Sequence, residues 1–119
     1  MDFKAALREI LSSVDGALGA GLIGLDGLVV DQVSMRPGLD FAQAGGEYAV
    51  VMKGAMSASD HFGWGGAQEV LISSDQGTAI LVAAGKAHFL VLALDGGGNP
   101  GRGRLELKKS VPAVERALA

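Results

Sequence analysis

Cysteine is absent from the 119 residues, so neither a disulfide framework nor a thiolate metal site can form. Such a composition fits a reducing compartment, and the cytoplasm is the expected location. Histidine occurs only as His61 and His88, in different segments and without the spacing or neighbours of a metal site. No metal and no cofactor is expected. Excess charge is also missing: 10 basic against 13 acidic side chains leave a formal charge of −3, too small to steer the chain onto a polyanion. Nucleic acid is therefore not an expected partner. Long apolar runs are lacking too. The most apolar stretch, Thr78 to Leu94, is interrupted by Lys86, His88 and a turn at Gly85, and falls short of the about 18 continuous apolar residues of a membrane span. At the start of the chain Asp2, Lys4, Arg8 and Glu9 are scattered where a signal peptide needs an unbroken apolar segment. A soluble protein is expected.

Catalytic constellations are absent as well. Ser73 and Ser74 precede Asp75, but no Gly-x-Ser-x-Gly elbow or paired histidine accompanies them. The loop Asp95 to Gly101 has the glycines of a phosphate cradle. It lacks the Gly-Lys-Ser/Thr ending that supplies a lysine and a magnesium-binding hydroxyl, and it follows an antiparallel strand outside any βαβ unit. A turn into the next helix is the simpler reading, and no enzyme activity is expected.

What is present is a chain with 49% hydrophobic and 19% charged residues, the composition of a globular protein. Its length suits one domain, residues 1–119. Phe3, Leu7, Ile10, Leu11 and Val14 recur at helical spacing and predict a helix from Asp2 to Val14, with Gly16 placed to end it in a left-handed conformation. Apolar runs Ala17 to Leu25 and Leu28 to Val33 flank Asp26-Gly27, which predicts a hairpin with a type I′ turn. Asp40, with Gln43 three residues on, offers a capping box for a second helix that runs to Phe62. At about 1.5 Å per residue it would be roughly 33 Å long. Segments Gln68 to Ser74, Thr78 to Ala84 and Ala87 to Asp95 then predict a three-strand meander, and Leu105, Leu107, Val111, Val114 and Leu118 a last helix that Pro112 should kink or restart. The order α-β-β-α-β-β-β-α implies an α/β (α+β) fold, a five-stranded antiparallel sheet covered by helices on both faces.

Two elements point beyond a single copy. The second helix carries Phe41, Tyr48, Val51, Met52, Ala55, Met56 and Phe62 near one stripe and Ala42, Gly46, Ala49, Val50 and Gly54 near another, with Glu47, Lys53 and Asp60 its charged positions after the cap. A helix apolar nearly all round is usually covered on more than one side. Either it is a core helix of low propensity, or a second subunit covers the side its own sheet does not. Gly45, Gly46 and Gly54 each cost on the order of 1 kcal/mol against alanine, which close packing would offset. The strand Gln68 to Ser74 lacks the Pro and Lys that commonly protect an exposed edge, so it is either interior or open to pairing. Trp64, in its Gly-rich loop, is a binding anchor or a plug at the end of the core. Arg102, Arg104, Lys108 and Lys109 form a small basic cluster, a solvated helix face or a site for an acidic partner.

In the run Gly19 to Val30, the long second helix, the meander and the end Gly98-Asn99-Pro100-Gly101-Arg102-Gly103-Arg104-Leu105, the chain resembles the Roadblock (dynein light chain) family over essentially its whole length. Within that family the entry to the last helix looks most like the bacterial MglC-type polarity proteins. The resemblance implies a homodimer in which the third strand pairs with its symmetry mate, giving a ten-stranded sheet, while two copies of the second helix pack antiparallel. Phe41, Tyr48, Val51, Met52, Ala55, Met56, Ser59, Val70 and Ile72 are the expected dimer contacts. Glu47, Lys53, Trp64, Arg102 and Arg104 are the expected partner-binding positions. It further implies regulation of a Ras-like small GTPase, directly as in MglB-type members or through an MglB-like Roadblock partner. The alternatives are a structural scaffold of a motor or signalling complex, and a small-ligand sensor domain.

Overall fold

The computed structural model describes residues 2–119. Eight elements follow one another as α1 (Phe3–Ser12), β1 (Ala17–Gly24), β2 (Val29–Ser34), α2 (Phe41–His61), β3 (Glu69–Ser74), β4 (Gly77–Ala83), β5 (His88–Asp95) and α3 (Pro100–Leu118). This is the α-β-β-α-β-β-β-α Roadblock arrangement read from the sequence. The strands form one antiparallel sheet in the order β2-β1-β5-β4-β3. The two terminal pieces of the chain, α1 and α3, bury Leu7, Ile10, Leu11, Leu107 and Val114 on one face against Leu22, Ile80, Leu90 and Leu92. On the other face α2 sets Phe41, Ala49 and Met52 against Ile23, Leu81, Phe89 and Val91. Alternation along the central strands sends neighbours to opposite cores, and β5 is accordingly apolar at nearly every position.

Helix ends follow the side chains that satisfy their first amides. Asp2 accepts from Lys4 N–H at 3.0 Å, Asp40 from Ala42 N–H at 2.9 Å, and Asn99 from Arg102 N–H at 3.1 Å. α1 ends at Ser12, capped by Ser13 in a right-handed conformation with its N–H on the Ile10 carbonyl, so Gly16, at φ +80°, does not end the helix but turns the chain into β1.

Two more local expectations are corrected and a third is narrowed. The β1–β2 turn is not type I′, because Gly27 (φ +87°) is at positive φ and Asp26 is not. It is a turn over Gly24 to Gly27, closed by Gly27 N–H on Gly24 C=O at 2.9 Å, with the Asp26 carboxylate accepting from Leu28 N–H at 3.0 Å. Gln43 does not complete a capping box. Its place is taken by Gln32 of β2, whose amide donates to Asp40 at 2.7 Å and accepts from Phe41 N–H at 2.8 Å, which ties the sheet directly to the start of α2. Pro112 does not restart the last helix: α3 runs from Pro100 to Leu118 with Pro112 inside it at an exposed position, where loss of one amide donor is tolerated.

Two close approaches explain glycines of the motif runs. A Cβ at Gly21 would meet the Phe41 ring at 3.2 Å, so the bare strand is what seats α2 on β1. A Cβ at Gly103 would meet Leu92 Cδ2 at 2.8 Å, so glycine lets α3 lie close on β5.

Candidate protein interface

The sheet has two edges, and they differ. Edge strand β2 is interrupted: Leu22 faces Asp31 and Ile23 faces Val29, which leaves Val30 bulged out without a partner. Lys4 from α1 lies over the same edge, pairing with Asp31 and donating to the Gln32 carbonyl at 3.2 Å. Bulges and lysines are the usual means of closing an edge to further strands. Edge strand β3 has no bulge, and the cations that reach it, Arg104 and Lys108 of α3, are held at its first residue, Glu69, leaving Val70 to Ser74 clear. Its six residues pair with β4 in unbroken register, Glu69 with Val82 through Ser74 with Gly77, and the opposite row of backbone groups is unpaired by any strand of the sheet. Leu71 on this strand is 52% exposed.

Helix α2 presents a second unoccupied surface. Its inner side is set by Gly45, where a Cβ would lie 2.6 Å from the Gly27 carbonyl oxygen; this contact with the β1–β2 turn fixes the rotation of the helix. The outer side then carries Gly46, Glu47, Val50, Val51, Lys53 and Gly54, all exposed, with Val50 65% accessible. A Cβ at Gly46 or Gly54 would meet nothing within 4 Å.

Beyond His61 the chain leaves α2 through Phe62 and Trp64, whose amides donate to the Ser59 carbonyl at 3.2 Å each. The two rings stack with centroids 4.8 Å apart, yet Phe62 stays 70% and Trp64 76% exposed. Beside the other half of α2, between that helix and the strand ends, lies an open groove of about 260 Å³ lined by Arg36, Leu39, Tyr48, Ile72, Ser74 and Thr78, among others. Burial pushes the Tyr48 phenol above its ordinary value, with the Glu47 charge adding to the shift.

On the opposite face the basic residues of α3 are engaged internally. Arg104 and Lys108 pair with Glu69 of β3 at 2.5 and 2.9 Å, and Arg102 and Lys109 flank the buried Glu106 at 3.0 and 3.5 Å. Partial burial pushes the Glu69 carboxyl up, but the Lys108 and Arg104 charges outweigh it and hold the group below its ordinary range. Each cation thus has an acidic neighbour inside the molecule, which leaves little unmatched charge for an acidic partner.

No protein-family model matches the chain, and no curated protein matches it. Among solved structures, MglC from Myxococcus xanthus is 31% identical over 98% of this chain and 99% of its own, with a TM-score of 0.70. The chain belongs to the Roadblock family. The gliding protein MglB from Thermus thermophilus superposes with a TM-score of 0.86 at 22% identity, covering 95% of this chain and 85% of that one. A Roadblock/LC7 domain from Streptomyces avermitilis does so with a TM-score of 0.80 at 20% identity, over 99% and 98% of the two chains. Both of these show the shared fold.

Against this Roadblock frame the expected site residues separate into groups. Phe41 and Met52, read from the sequence as dimer contacts, are 2% and 0% exposed and belong to the protomer's own core, because the Gly45 contact turns them onto the sheet. Tyr48, Ala55, Met56, Ser59, Val70 and Ile72 are half-buried along the α2–β3 side, and Val51 is exposed beside them. Glu47 and Lys53 stand on the outer side of α2. Trp64 does not plug the core. Arg102 and Arg104 are the ion-paired residues just described. Leu71, Val50 and Phe62, all exposed apolar residues, were not among the expected contacts, although Val50 and Phe62 stood on the apolar stripes of the second helix. The signal for Leu71 was the unbroken apolar triplet Val70-Leu71-Ile72, since a strand apolar on both faces is one that expects cover on both.

Among the described residues no helix is long and apolar enough to cross a membrane, and no group of three or more His, Asp or Glu is placed to hold a metal ion.

Proposed function

We propose that this Roadblock protein is a non-catalytic cytoplasmic adaptor that works as a homodimer and regulates a Ras-like small GTPase switch of the polarity or motility type, directly or through an MglB-like partner. The observation that carries the assembly half is the regular, bulge-free β3 edge, open from Val70 to Ser74, beside the exposed apolar side of α2. Joining two β3 edges satisfies open backbone groups of both copies and gives Leu71, Val70 and Ile72 cross-strand neighbours. The β3-side flanks of the two α2 helices, carrying Val51, Ala55 and Ala58, meet over the seam, with the bare Gly54 beside them permitting close approach. The GTPase half is supported by family membership and by neighbours that include a protein named for gliding. An adaptor of this kind biases the switch by holding one nucleotide state more tightly than the other.

Two measurements test the proposal. Light scattering on the purified chain gives the dimer mass, and Leu71→Lys, which places a lysine on the free edge, returns the monomer with unchanged circular dichroism. Binding of the chain, alone and with an MglB-like protein, to its candidate GTPase loaded with GDP or a GTP analogue shows a preference for one state. Equal binding to both refutes regulation and leaves a structural scaffold.

A further inference from the structure

The direction of the β3 backbone defines how a second copy can join it, and the position of its flanking loop follows. The Gln68 carbonyl accepts from Ala83 N–H at 2.9 Å. With the register Glu69–Val82, Val70–Leu81, Leu71–Ile80, residues 68, 70, 72 and 74 therefore direct their hydrogen-bonding groups at β4, and Glu69, Leu71 and Ser73 direct theirs at the free edge. A two-fold antiparallel pair that uses all three outward residues is centred on Leu71. It sets Leu71 beside Leu71 of the other copy, Glu69 beside Ser73, and Gln68 beside Ser74. The loop that precedes β3 in one copy then lies past the Ser74 end of the other.

That loop carries Phe62 and Trp64, and the Ser74 end is where the groove of about 260 Å³ opens between α2 and the sheet. We propose that in the homodimer each copy seats Trp64, with Phe62 stacked on it, in the groove of the other copy lined by Tyr48, Ile72, Ser74, Thr78, Leu39 and Arg36. This rests on the β3-paired dimer of the preceding subsection and names the contact that anchors it. Three observations converge. The aromatic pair is the most exposed aromatic surface of the described residues, at 70% and 76%, and such surface is the usual centre of an interface. The groove has an apolar floor of Ile72 and Leu39 next to the half-buried Tyr48 ring. Its cation, Arg36, makes none of the ion pairs found among the described residues and is free to stack on an indole face. The contact is isologous, so it occurs twice per dimer.

Trp64 is the only tryptophan of the chain, so its fluorescence reports this position alone. Mass by sedimentation and tryptophan emission are followed together over a dilution series. As the dimer forms, emission moves to shorter wavelength and quenching by acrylamide falls. Trp64→Ala and Phe62→Ala, both at exposed positions and checked for native circular dichroism, weaken dimerisation by about tenfold or more each, and Ser74→Glu on the groove wall returns the emission to that of the monomer. A dimer whose Trp64 emission and quenching match the monomer overturns this contact while leaving the β3-paired dimer standing, as does a Trp64→Ala chain that dimerises as tightly as wild type. A chain that remains monomeric at tens of micromolar refutes the dimer itself and the contact with it.

Discussion

Gly45→Ala separates two opposing effects on one helix and gives the sharpest test of how α2 is seated. In an exposed helix interior, glycine to alanine stabilises by about 1 kcal/mol. At Gly45 the added methyl would lie 2.6 Å from the Gly27 carbonyl oxygen and 3.6 Å from Val29 Cγ2. The first distance is one that real Cβ atoms do not tolerate, and the obstacle is backbone, so the β1–β2 turn or the helix must shift. Overpacking of that kind costs about 1–3 kcal/mol, and the Gln32 bridge to Asp40 and Phe41 resists the shift. The clash outweighs the propensity gain, and a net loss of roughly 1 kcal/mol is expected from the two terms. Gly46→Ala, one residue along, meets nothing within 4 Å and keeps the gain of about 1 kcal/mol. The assay is urea unfolding of both variants in the Leu71→Lys background, which removes association from the equilibrium. With a slope of about 1–3 kcal/mol per molar urea, the two midpoints should differ by roughly 1 M in opposite directions from the parent. Gly45→Ala equal to or more stable than Gly46→Ala refutes the seating of α2 on the turn.

Gln32→Ala removes the amide that both donates to Asp40 and accepts from Phe41 N–H, so α2 loses an N-terminal partner and about 1–2 kcal/mol of stability; amide hydrogen exchange in the first turn of α2 should rise, and unchanged protection there would count against the bridge. Glu69→Gln tests the β3–α3 ion pairs. Because the folded-state pKa of Glu69 is held below its ordinary value by Lys108 and Arg104, its contribution is complete above about pH 4.3 and disappears as pH falls through the folded value. The variant should be less stable than wild type by up to about 1 kcal/mol near neutrality, and the difference should vanish in acid; a pH-independent gap would mean that packing, not charge, accounts for it.

Much of the fold was legible because its signals are local. Period-2 apolar runs and glycine turns located every strand to within a residue, and Asp2 and Asp40 marked where two helices begin, whereas α3 starts at Pro100, inside the segment Asp95 to Gly101 read as a turn. The failures share a different cause. Gln32 lies nine residues before the amide it caps, and no spacing rule ranks it above Gln43, which stands in the ordinary capping-box position. Phe41 and Met52 read as outward-facing because a helix apolar nearly all round does not reveal its own rotation. The deciding contact, Gly45 on Gly27, joins segments that periodicity treats separately. The pairing of Arg104 and Lys108 with Glu69 is likewise a tertiary event between a strand and a helix that are adjacent only once the sheet order is known.

The rotation of α2 also bears on how fold and assembly can vary independently. Gly45, Ala49 and Met52 face the sheet, and Gly46, Val50 and Gly54 face away from it. Residues three or four apart on a helix share a side, so substitutions along the exposed Val51, Gly54 and Ala58 row, next to the flank over β3, change the surface offered to a second copy without disturbing the inner contacts. Gly54→Ala is the case where the two effects take opposite signs. It should stabilise the isolated protomer by about 1 kcal/mol, as an unobstructed alanine in a helix does. Where the β3-side flanks of two α2 helices meet across the seam, the same methyl, next to Val51 and Ala58, holds them apart and weakens the dimer. Unfolding midpoint in the monomeric Leu71→Lys background and dimer affinity in the native background should therefore move in contrary directions. A Gly54→Ala chain that gains on both counts would show that the helices do not approach at this position, and the apolar side of α2 would then need an occupant other than a second copy.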